Sequence, residues 1–349
     1  MSYQVLARKW RPRLFADMVG QSHVLQALTN ALDSGRLHHA YLFTGTRGVG
    51  KTTVARVFAK ALNCETNGVS SEPCGECPAC REIDEGRFID LIEVDAASKT
   101  KVDDTRELLD NVAYMPVKGR YKIYLIDEVH MFSQASFNAL LKTLEEPPEY
   151  VKFLLATTDP QKLPVTVVSR CLQFNLRALP ESQIVEYLAK ITARESIEAE
   201  REALEQIAIS ANGSMRDALS LLDQAIGFCG ERLSAAAISD MLGVTDRRLL
   251  RNVLIALAQS DANTVFALID QALARAVDPA RLLAELTEAV HRQSMAQWLP
   301  DTHEPRLDVD PQTLQLWYQI ALTGRRDIGW APSPRIGLEM TLLRMLAFK

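Results

Sequence analysis

The pattern of apolar and polar residues changes near residue 180. Before that point, five short runs rich in β-branched and aromatic residues alternate with longer amphipathic stretches. The runs are Ala40–Thr44, Leu91–Asp95, Tyr121–Ile126, Lys152–Thr157 and Leu172–Asn175. Because strands separated by helices need crossover connections, this alternation predicts a five-stranded parallel sheet with helices on both faces. The fold class expected for this part is α/β.

After residue 180 the strand signal ends and the pattern becomes helical. The predicted helices are Pro180–Glu195, Glu202–Ala211, Ser214–Phe228, Leu233–Met241, Pro279–Leu299 and Pro311–Arg325, with an amphipathic last segment over Gly337–Phe348. Asn212 and Gly213 end one of these helices and Ser214 caps the next. We therefore predict three domains, one α/β over residues 1–179 and two all-α over 180–243 and 244–349.

Composition and charge narrow the classes of protein that fit this pattern. The chain has 39 Lys and Arg against 44 Asp and Glu, a net charge of −5. It lacks the net positive charge of a protein that coats nucleic acid, so any contact with DNA must be confined to a local part of its surface. Its start is charged where a secretion signal is apolar, and no run approaches the roughly 18 apolar residues of a membrane span. We expect a cytoplasmic protein with no membrane contact.

A glycine-rich segment directly after the first predicted strand carries the strongest chemical signal. It has the pattern Gly-x4-Gly-Lys-Thr, and a helical pattern from Thr52 to Leu62 follows it. Its backbone N–H groups can wrap a phosphate, Lys51 can neutralise the β and γ phosphates, and Thr52 can ligate Mg²⁺. The alternative is a simple glycine-rich turn, which the flanking strand and helix disfavour. The residues predicted to bind nucleotide here are Gly45, Thr46, Arg47, Gly48, Val49, Gly50, Lys51, Thr52 and Thr53.

Hydrolysis also needs an acid that orders the metal and a group that activates water. The third predicted strand is followed by Asp127 and Glu128. Asp127 can join Thr52 around Mg²⁺, and Glu128 can act on the attacking water. The fourth predicted strand ends in hydroxyls at Thr157 and Thr158, where they could sense a γ-phosphate. A solvated strand end is the alternative for the acid pair, and it is weakened by the phosphate-binding loop beside it.

Four of the six cysteines form a separate candidate site between the second predicted strand and the helix predicted after the glycine-rich segment. They are Cys64, Cys74, Cys77 and Cys80, spaced C-x9-C-x2-C-x2-C. This spacing fits a closed, structural zinc site with four thiolate ligands. An iron–sulfur cluster and reduced surface thiols are the alternatives. Cys171 and Cys229 lie outside the group and are expected to be small packed residues.

Further segments complete a recognisable series. Together with the glycine-rich loop (the P-loop) and the acid pair, four more segments follow one another in a characteristic order: Asp17–Gln21, Ala156–Thr158, Ser169–Cys171 and Gly213–Asp217. This series resembles that of the AAA+ ATPases. The start of the chain, the four-cysteine insertion and Ser136–Pro148 are similar to those of bacterial clamp loader subunits. The likeness is dense over residues 1–243 and thinner beyond. It implies an AAA+ P-loop ATPase domain, a helical lid domain and a helical collar domain.

The resemblance also implies roles for single residues. Ala7, Arg11 and Val19 match positions on the adenine side of the nucleotide. Arg170 is similar to the arginine finger that completes a neighbouring subunit's site, and Arg216 resembles the second sensor on the lid. In the family a zinc module occupies the position of the cysteine insertion. The implied cofactors are therefore ATP, Mg²⁺ and Zn²⁺.

Contacts with DNA are expected at two helix starts. Lys99 and Lys101 precede a helical pattern over Val102–Tyr114, and Lys162 follows the fourth strand. Lysines and N–H groups at a helix start contact phosphates without reading bases. The alternative at each position is that the lysines are solvated surface charges that contact no DNA. In clamp loaders equivalent helix starts track the backbone of primed duplex DNA.

The function implied is that of an ATP-hydrolysing clamp loader motor subunit. Its partners would be the other subunits of a hetero-pentamer, the sliding clamp and primed duplex DNA, in a cytoplasmic, nucleoid-associated replisome. One alternative is a non-hydrolysing structural subunit, which the intact Lys51, Thr52, Asp127 and Glu128 disfavour. Another is a different AAA+ machine, such as a branch-migration helicase or an unfoldase.

Overall fold

The structure is a computed structural model, and it describes residues 4–98, 111–230, 232–242, 247–274, 277–299 and 306–348. Lys99, Lys101 and residues 102–110 of the helix predicted over Val102–Tyr114 lie outside these residues. The chain folds into two compact units, Met1–Leu233 and Ser234–Lys349. Each unit has a hydrophobic core of its own.

The first unit contains a five-stranded parallel sheet, and the expected α/β class is confirmed. Its strands are β1 (Ala40–Thr44), β2 (Leu91–Asp95), β3 (Lys122–Asp127), β4 (Val151–Thr157) and β5 (Leu172–Asn175), in the spatial order β2-β3-β4-β1-β5. The third strand lies one residue further on than the sequence pattern suggested. In the register of the sheet, Thr44 pairs with both Thr157 and Asn175, and Asp95 pairs with Asp127. The polar carboxyl ends therefore share one edge.

Helices cover both faces of this sheet. The short helix α1 (Leu6–Lys9) packs on the later helix Met215–Cys229, and the helices that cover the sheet are α2 (Ser22–Asp33), α3 (Lys51–Asn63), α4 (Pro78–Glu85), α5 (Gln134–Glu145) and α6 (Val165–Val168). In β1, Tyr41 and Phe43 pack into a core with α2 and α3, while Leu42 packs with α5 on the other face. A strand buried on both faces is continuously apolar, as β1 is.

The rest of the first unit is a helical lid. It consists of α7 (Glu181–Arg194), α8 (Arg201–Ser210) and α9 (Met215–Cys229). The expectation that no strand follows residue 180 is wrong in one detail, because β6 (Glu198–Ala199) and β7 (Arg232–Leu233) pair in parallel. Two residues a strand are too few to give an alternating signal in the sequence.

All secondary-structure elements in the described residues of the second unit are helices. Its helices are α10 (Ala235–Leu242), α11 (Arg247–Ala258), α12 (Ala262–Ala274), α13 (Pro279–Trp298), α14 (Pro311–Asp327) and α15 (Pro334–Ala347). Trp317 is buried at its centre, and its indole N–H donates to the carbonyl of Met345 at 3.0 Å. Helix α15 is not cleanly amphipathic, because it buries Leu338 and Leu342 yet exposes Met340 and Leu343. Among the described helices, none is long and apolar enough to cross a bilayer.

Candidate nucleotide site and cysteine cluster

The glycine-rich loop joins β1 to α3 at the polar edge of the sheet, as its motif requires. Gly48 has a φ of 77°, a conformation that side-chain-bearing residues rarely adopt. A Cβ on Gly48 would also overlap the hydroxyl of Ser214 in the lid. This position therefore needs glycine both for its backbone conformation and for the close approach of the lid.

Lys51 is the first residue of α3, and its ammonium reaches back over the loop. Its Nζ donates to the carbonyls of Gly45 at 2.8 Å and Thr46 at 2.9 Å. Burial lowers the pKa of Lys51, while the nearby carboxylates of Glu128 and Asp127 act in the opposite direction. The cation is thus held at the loop, where a bound phosphate would replace the two carbonyls as its partner.

The hydroxyl and carboxylate expected to ligate magnesium lie together. Thr52 Oγ1 donates to Asp127 Oδ2 at 2.7 Å, and the backbone N–H of Glu128 donates to Asp127 Oδ1 at 3.0 Å. Oxygen ligands of this kind are those that Mg²⁺ takes in phosphate-binding sites. The donor set therefore fits a magnesium ion held together with nucleotide phosphates.

Glu128 is held in place by the end of the neighbouring strand. Its φ of 49° turns the chain sharply after β3. Its Oε2 accepts hydrogen bonds from the backbone N–H of Thr158 at 3.0 Å and from Thr158 Oγ1 at 2.8 Å. His130 was not singled out in the sequence, yet its Nδ1 lies 2.9 Å from Thr157 Oγ1 and 3.4 Å from Glu128 Oε2. The sequence signal that could have identified His130 is its position two residues after Glu128, the second acid of the pair.

A cavity of about 500 Å³ extends from this loop to the lid. One end is polar and is lined by residues 47–53, Asp127 and Glu128. The other end is largely apolar, with Ala7, Trp10, Pro12, Met18, Val19, Leu179, Tyr187, Met215 and Leu219 beside Arg11, and Arg216 also lines the cavity. The polar end suits phosphates and the apolar end suits a base. Tyr187 and Leu219 are helix residues outside any motif, and Trp10 lies in the start of the chain that carries the family resemblance, where only Ala7 and Arg11 are predicted to contact the nucleotide.

The start of the chain reaches the cavity because it is fastened to the lid. The backbone N–H of Leu6 donates to Asp223 Oδ2 at 2.7 Å, and Trp10 Nε1 donates to Glu195 Oε1 at 2.7 Å. Tyr187 Oη donates to the carbonyl of Trp10 at 3.0 Å. These bonds bring Ala7 and Arg11 into the cavity wall. Burial lowers the pKa of Arg11, and the neighbouring Arg56 lowers it further.

Arg216 enters the same wall from the first turn of α9. Ser214 caps this helix by accepting a hydrogen bond from the backbone N–H of Asp217 at 3.2 Å. The backbone N–H of Arg216 approaches the carbonyl of Gly48 at 3.4 Å. The cap thus fixes the start of α9 directly above the phosphate loop.

Arg170 and Lys162 are not among the residues that line the cavity. The guanidinium of Arg170 donates to the carbonyl of Thr166 at 2.8 Å and to Glu145 Oε1 at 2.9 Å. Lys162 is exposed and pairs with Asp159 at 3.1 Å. Cys171 is largely buried, and burial raises its pKa to about 12.

The four cysteines come together as a compact group. Their Sγ atoms all lie within 4.8 Å of one another. Cys64 is the C-cap of α3 and Cys77 is the N-cap of α4, so the group joins the two helices. The backbone N–H groups of Glu76 and Cys77 point at Cys74 Sγ and lower its pKa to about 6, whereas burial raises the pKa of Cys80.

This geometry matches a metal site built from thiolates. Four sulfurs at such mutual distances suit tetrahedral coordination, and N–H donors directed at them stabilise thiolate charge. With every vertex taken by sulfur, no position is open for a substrate. The group could therefore hold a metal in a structural role.

The cavity, its glycine-rich loop and the acids at the carboxyl edge of a parallel sheet define a P-loop nucleotide-binding protein with the AAA+ fold. Solved structures share this fold, among them the Holliday junction branch migration motor RuvB of Thermotoga maritima. It is 20% identical, with a TM-score of 0.51, and the alignment covers 75% of this chain and 85% of that chain. At this identity the likeness shows the fold alone.

The chain belongs to the family of the gamma and tau subunits of DNA polymerase III, which confirms the resemblance to clamp loader subunits. Three family models match it: DNA polymerase III, delta subunit (residues 20–180), DNA polymerase III clamp loader subunit, ATPase lid domain (183–231), and DNA polymerase III subunits gamma and tau domain III (233–349).

Individual relatives agree with these models. The chain is 56% identical to the tau subunit of Escherichia coli, a match that covers 100% of this chain and 56% of that protein. It is also 56% identical to the tau/gamma subunit of Haemophilus influenzae, of which it spans 52%. The gamma subunit of Buchnera aphidicola from Acyrthosiphon pisum is 44% identical and is covered over 99% of both chains. The chain therefore spans about half the length of the first two relatives and nearly all of the third.

Proposed function

We propose that this chain is an ATP-hydrolysing motor subunit of the bacterial replicative clamp loader within the DNA polymerase III holoenzyme. It would load the sliding clamp onto primed DNA during chromosome replication. The observation that carries this proposal is a single cavity whose wall combines Lys51, the acid pair and the lid residue Arg216. An identity of 56% to tau over the whole chain supports the assembly and the task.

In this proposal the polar end of the cavity binds the ATP phosphates through residues 45–53. Thr52 and Asp127 would hold Mg²⁺, which would supply charge compensation for the phosphates. Lys51 and Arg216 face the γ-phosphate, while Ala7, Arg11 and Val19 line the base end.

Glu128 would prepare the attacking water, and its contact with Thr158 gives the sensing hydroxyl a task. The two hydrogen bonds from Thr158 occupy Glu128 Oε2. A γ-phosphate that attracts Thr158 would free this carboxylate to act as a base. Thr158 would in this way connect nucleotide binding to hydrolysis.

The four-cysteine group would hold Zn²⁺ as a structural ion, because its all-thiolate donor set is closed. Residues 1–179 would form the ATPase domain, 180–243 the lid and 244–349 the collar by which subunits assemble into a hetero-pentamer. Lys99, Lys101 and Lys162 would contact the phosphates of primed duplex DNA. The protein would act in the cytoplasm at the nucleoid-associated replisome.

The proposal is tested by the ATPase rate of the reconstituted clamp loader with and without primed DNA and clamp. We expect DNA and clamp together to stimulate hydrolysis, and Lys51→Ala in this chain to abolish the part that it contributes. The exposed Lys142→Ala is the matched control and should leave the rate unchanged. Nucleotide binding without hydrolysis would favour a structural subunit. Stimulation by a Holliday junction rather than by primed DNA with clamp would favour a branch-migration motor.

A further inference from the structure

Lys60 is a buried cation that the nucleotide site does not use. It lies on α3 nine residues after Lys51, and its side chain is only 1% exposed. It is not among the residues that line the cavity. Because burial of an ammonium group is costly unless the group is paired, a lysine in this position calls for specific partners.

The partners of Lys60 come from two different parts of the fold. Its Nζ donates to the backbone carbonyl of Arg13 at 3.0 Å and forms an ion pair with Asp84. Arg13 directly follows Trp10, Arg11 and Pro12, which line the base end of the cavity. Asp84 lies in the last turn of α4. One ammonium group therefore joins the P-loop helix, the wall of the base end and the helix of the cysteine cluster.

The position of Asp84 depends on the cysteine cluster. Helix α4 has only eight residues, begins at the N-cap Cys77 and includes Cys80, one turn before Asp84. A helix of two turns is unstable in water without tertiary support. Coordination of a metal by the four thiolates would supply such support at the start of the helix. Ala79 and Ile83 also hold α4 through apolar packing in the core shared with α3, so loss of the cluster would loosen the start of α4 and with it the anion that pairs with Lys60.

We propose that Lys60 is a positioning residue through which the four-cysteine module strengthens the binding of a nucleotide base. With Asp84 in place, Lys60 stays buried and holds the Arg13 carbonyl, which fixes the segment from Trp10 to Pro12. Without Asp84, the ammonium turns toward water and that segment loosens. The phosphate loop is untouched by this change. The inference rests on the proposed binding of ATP to the cavity.

The experiment compares the binding of two ligands, ATP and inorganic tripolyphosphate, to the chain of residues 1–349 by calorimetric titration. Lys60→Met and Asp84→Asn should each weaken ATP binding about 5- to 10-fold, a usual size for coupling between sites. Tripolyphosphate affinity should change less than about twofold, since tripolyphosphate has no base. Glu82→Gln is the matched control, because Glu82 lies on the same helix and pairs at 2.6 Å with Lys118 rather than with α3. It should leave both affinities unchanged.

Removal of the metal provides a second, independent readout. Treatment with a chelator and reductant, both removed before Mg²⁺ is restored for the titration, should weaken ATP binding by the wild-type chain to a similar extent, with little further effect on Lys60→Met, since both act through one contact. Additive losses would overturn the proposal. An equal fall in ATP and tripolyphosphate affinity would also overturn it, because it would show general damage to α3.

A variant without either charge guards against simple unfolding. Apolar residues of similar volume often replace a buried ion pair without loss of stability. Lys60→Met combined with Asp84→Leu should therefore stay folded and show the same selective loss of ATP affinity. Normal ATP affinity in this folded double variant would refute the role of Lys60. A wild-type chain that fails to bind ATP at all would instead refute the proposed function.

Discussion

At the scale of single residues, the candidate site depends on a few backbone positions as much as on its charged groups. Gly48 has a φ of 77°, and Ser214 of the lid lies so close to it that a Cβ would clash. Lys51 and Thr52 can face phosphate and metal only because this loop turns tightly into α3. Motif residues such as these are set by local chain geometry, so the sequence predicts them well.

Gly48→Ala should destabilise the chain by about 1–3 kcal/mol, because a Cβ adds both backbone strain and a clash with Ser214. Thermal unfolding measures the loss. Gly35→Ala is the matched control, since Gly35 also has a positive φ, of 67°, but meets open space. If the two variants lost equal stability, the close approach of Ser214 would be energetically unimportant. ATP affinity should fall in Gly48→Ala alone.

At the scale of elements, the lid helix α9 contributes Arg216 from its first turn, and the cap at Ser214 decides where that turn begins. The helix buries Ala218, Leu222 and Ala225 on one side, while Leu219 lines the cavity. The cap therefore links the stability of the lid to the geometry of the nucleotide cavity. A similar link operates at α4, whose start is fixed by Cys77.

Ser214→Ala should cost about 1 kcal/mol of unfolding free energy, because the N–H of Asp217 loses its acceptor. Chemical denaturation gives this value. Ser220→Ala is a control on the same helix, because the hydroxyl of Ser220 only bonds back to the carbonyl of Arg216. A loss at Ser220 as large as at Ser214 would argue against capping as the cause.

At the scale of the whole molecule, the nucleotide cavity belongs to the first unit alone. Its lining residues run from Ala7 to Leu219, inside Met1–Leu233. The second unit has a separate core around Trp317. Nucleotide binding therefore needs only the first unit, whereas assembly is a property of the complete chain in our proposal.

A chain of residues 1–233 should fold alone and bind ATP with an affinity within about twofold of that of the chain of residues 1–349, since all lining residues and their supporting core are present. Circular dichroism and calorimetric titration would check both points. A loss of ATP binding in a folded 1–233 chain would show that the second unit contributes to the cavity.

Arg170→Ala should reduce ATP turnover in the assembled complex by up to ~10³-fold while ATP binding by the same chain stays unchanged, because the residue lies outside its own cavity. A complex assembled from Arg170→Ala and Lys51→Ala chains makes the test sharper. At some of its interfaces the intact cavity of one subunit would meet the intact Arg170 of its neighbour. An equal loss of turnover in a verified monomer would show that Arg170 acts on its own subunit.

The sequence by itself determined the parallel sheet, the phosphate loop, the acid pair, the cysteine spacing and the family. Each of these depends on short-range periodicity or on a motif of neighbouring residues, so no distant contact is needed to predict it. The tiny β6–β7 pair and the exposed apolar side of α15 escaped prediction because they depend on what packs nearby.

Only the tertiary structure decided which distant residues meet. Trp10 and Tyr187 line the cavity because hydrogen bonds to Glu195 and between the two residues fasten the chain start to the lid. Thr158 meets Glu128, and Lys60 meets both Arg13 and Asp84, through contacts that span the fold. These contacts carry no spacing signal, because packing and charge pairing select partners by position in space, and the distance along the chain between them is free to vary.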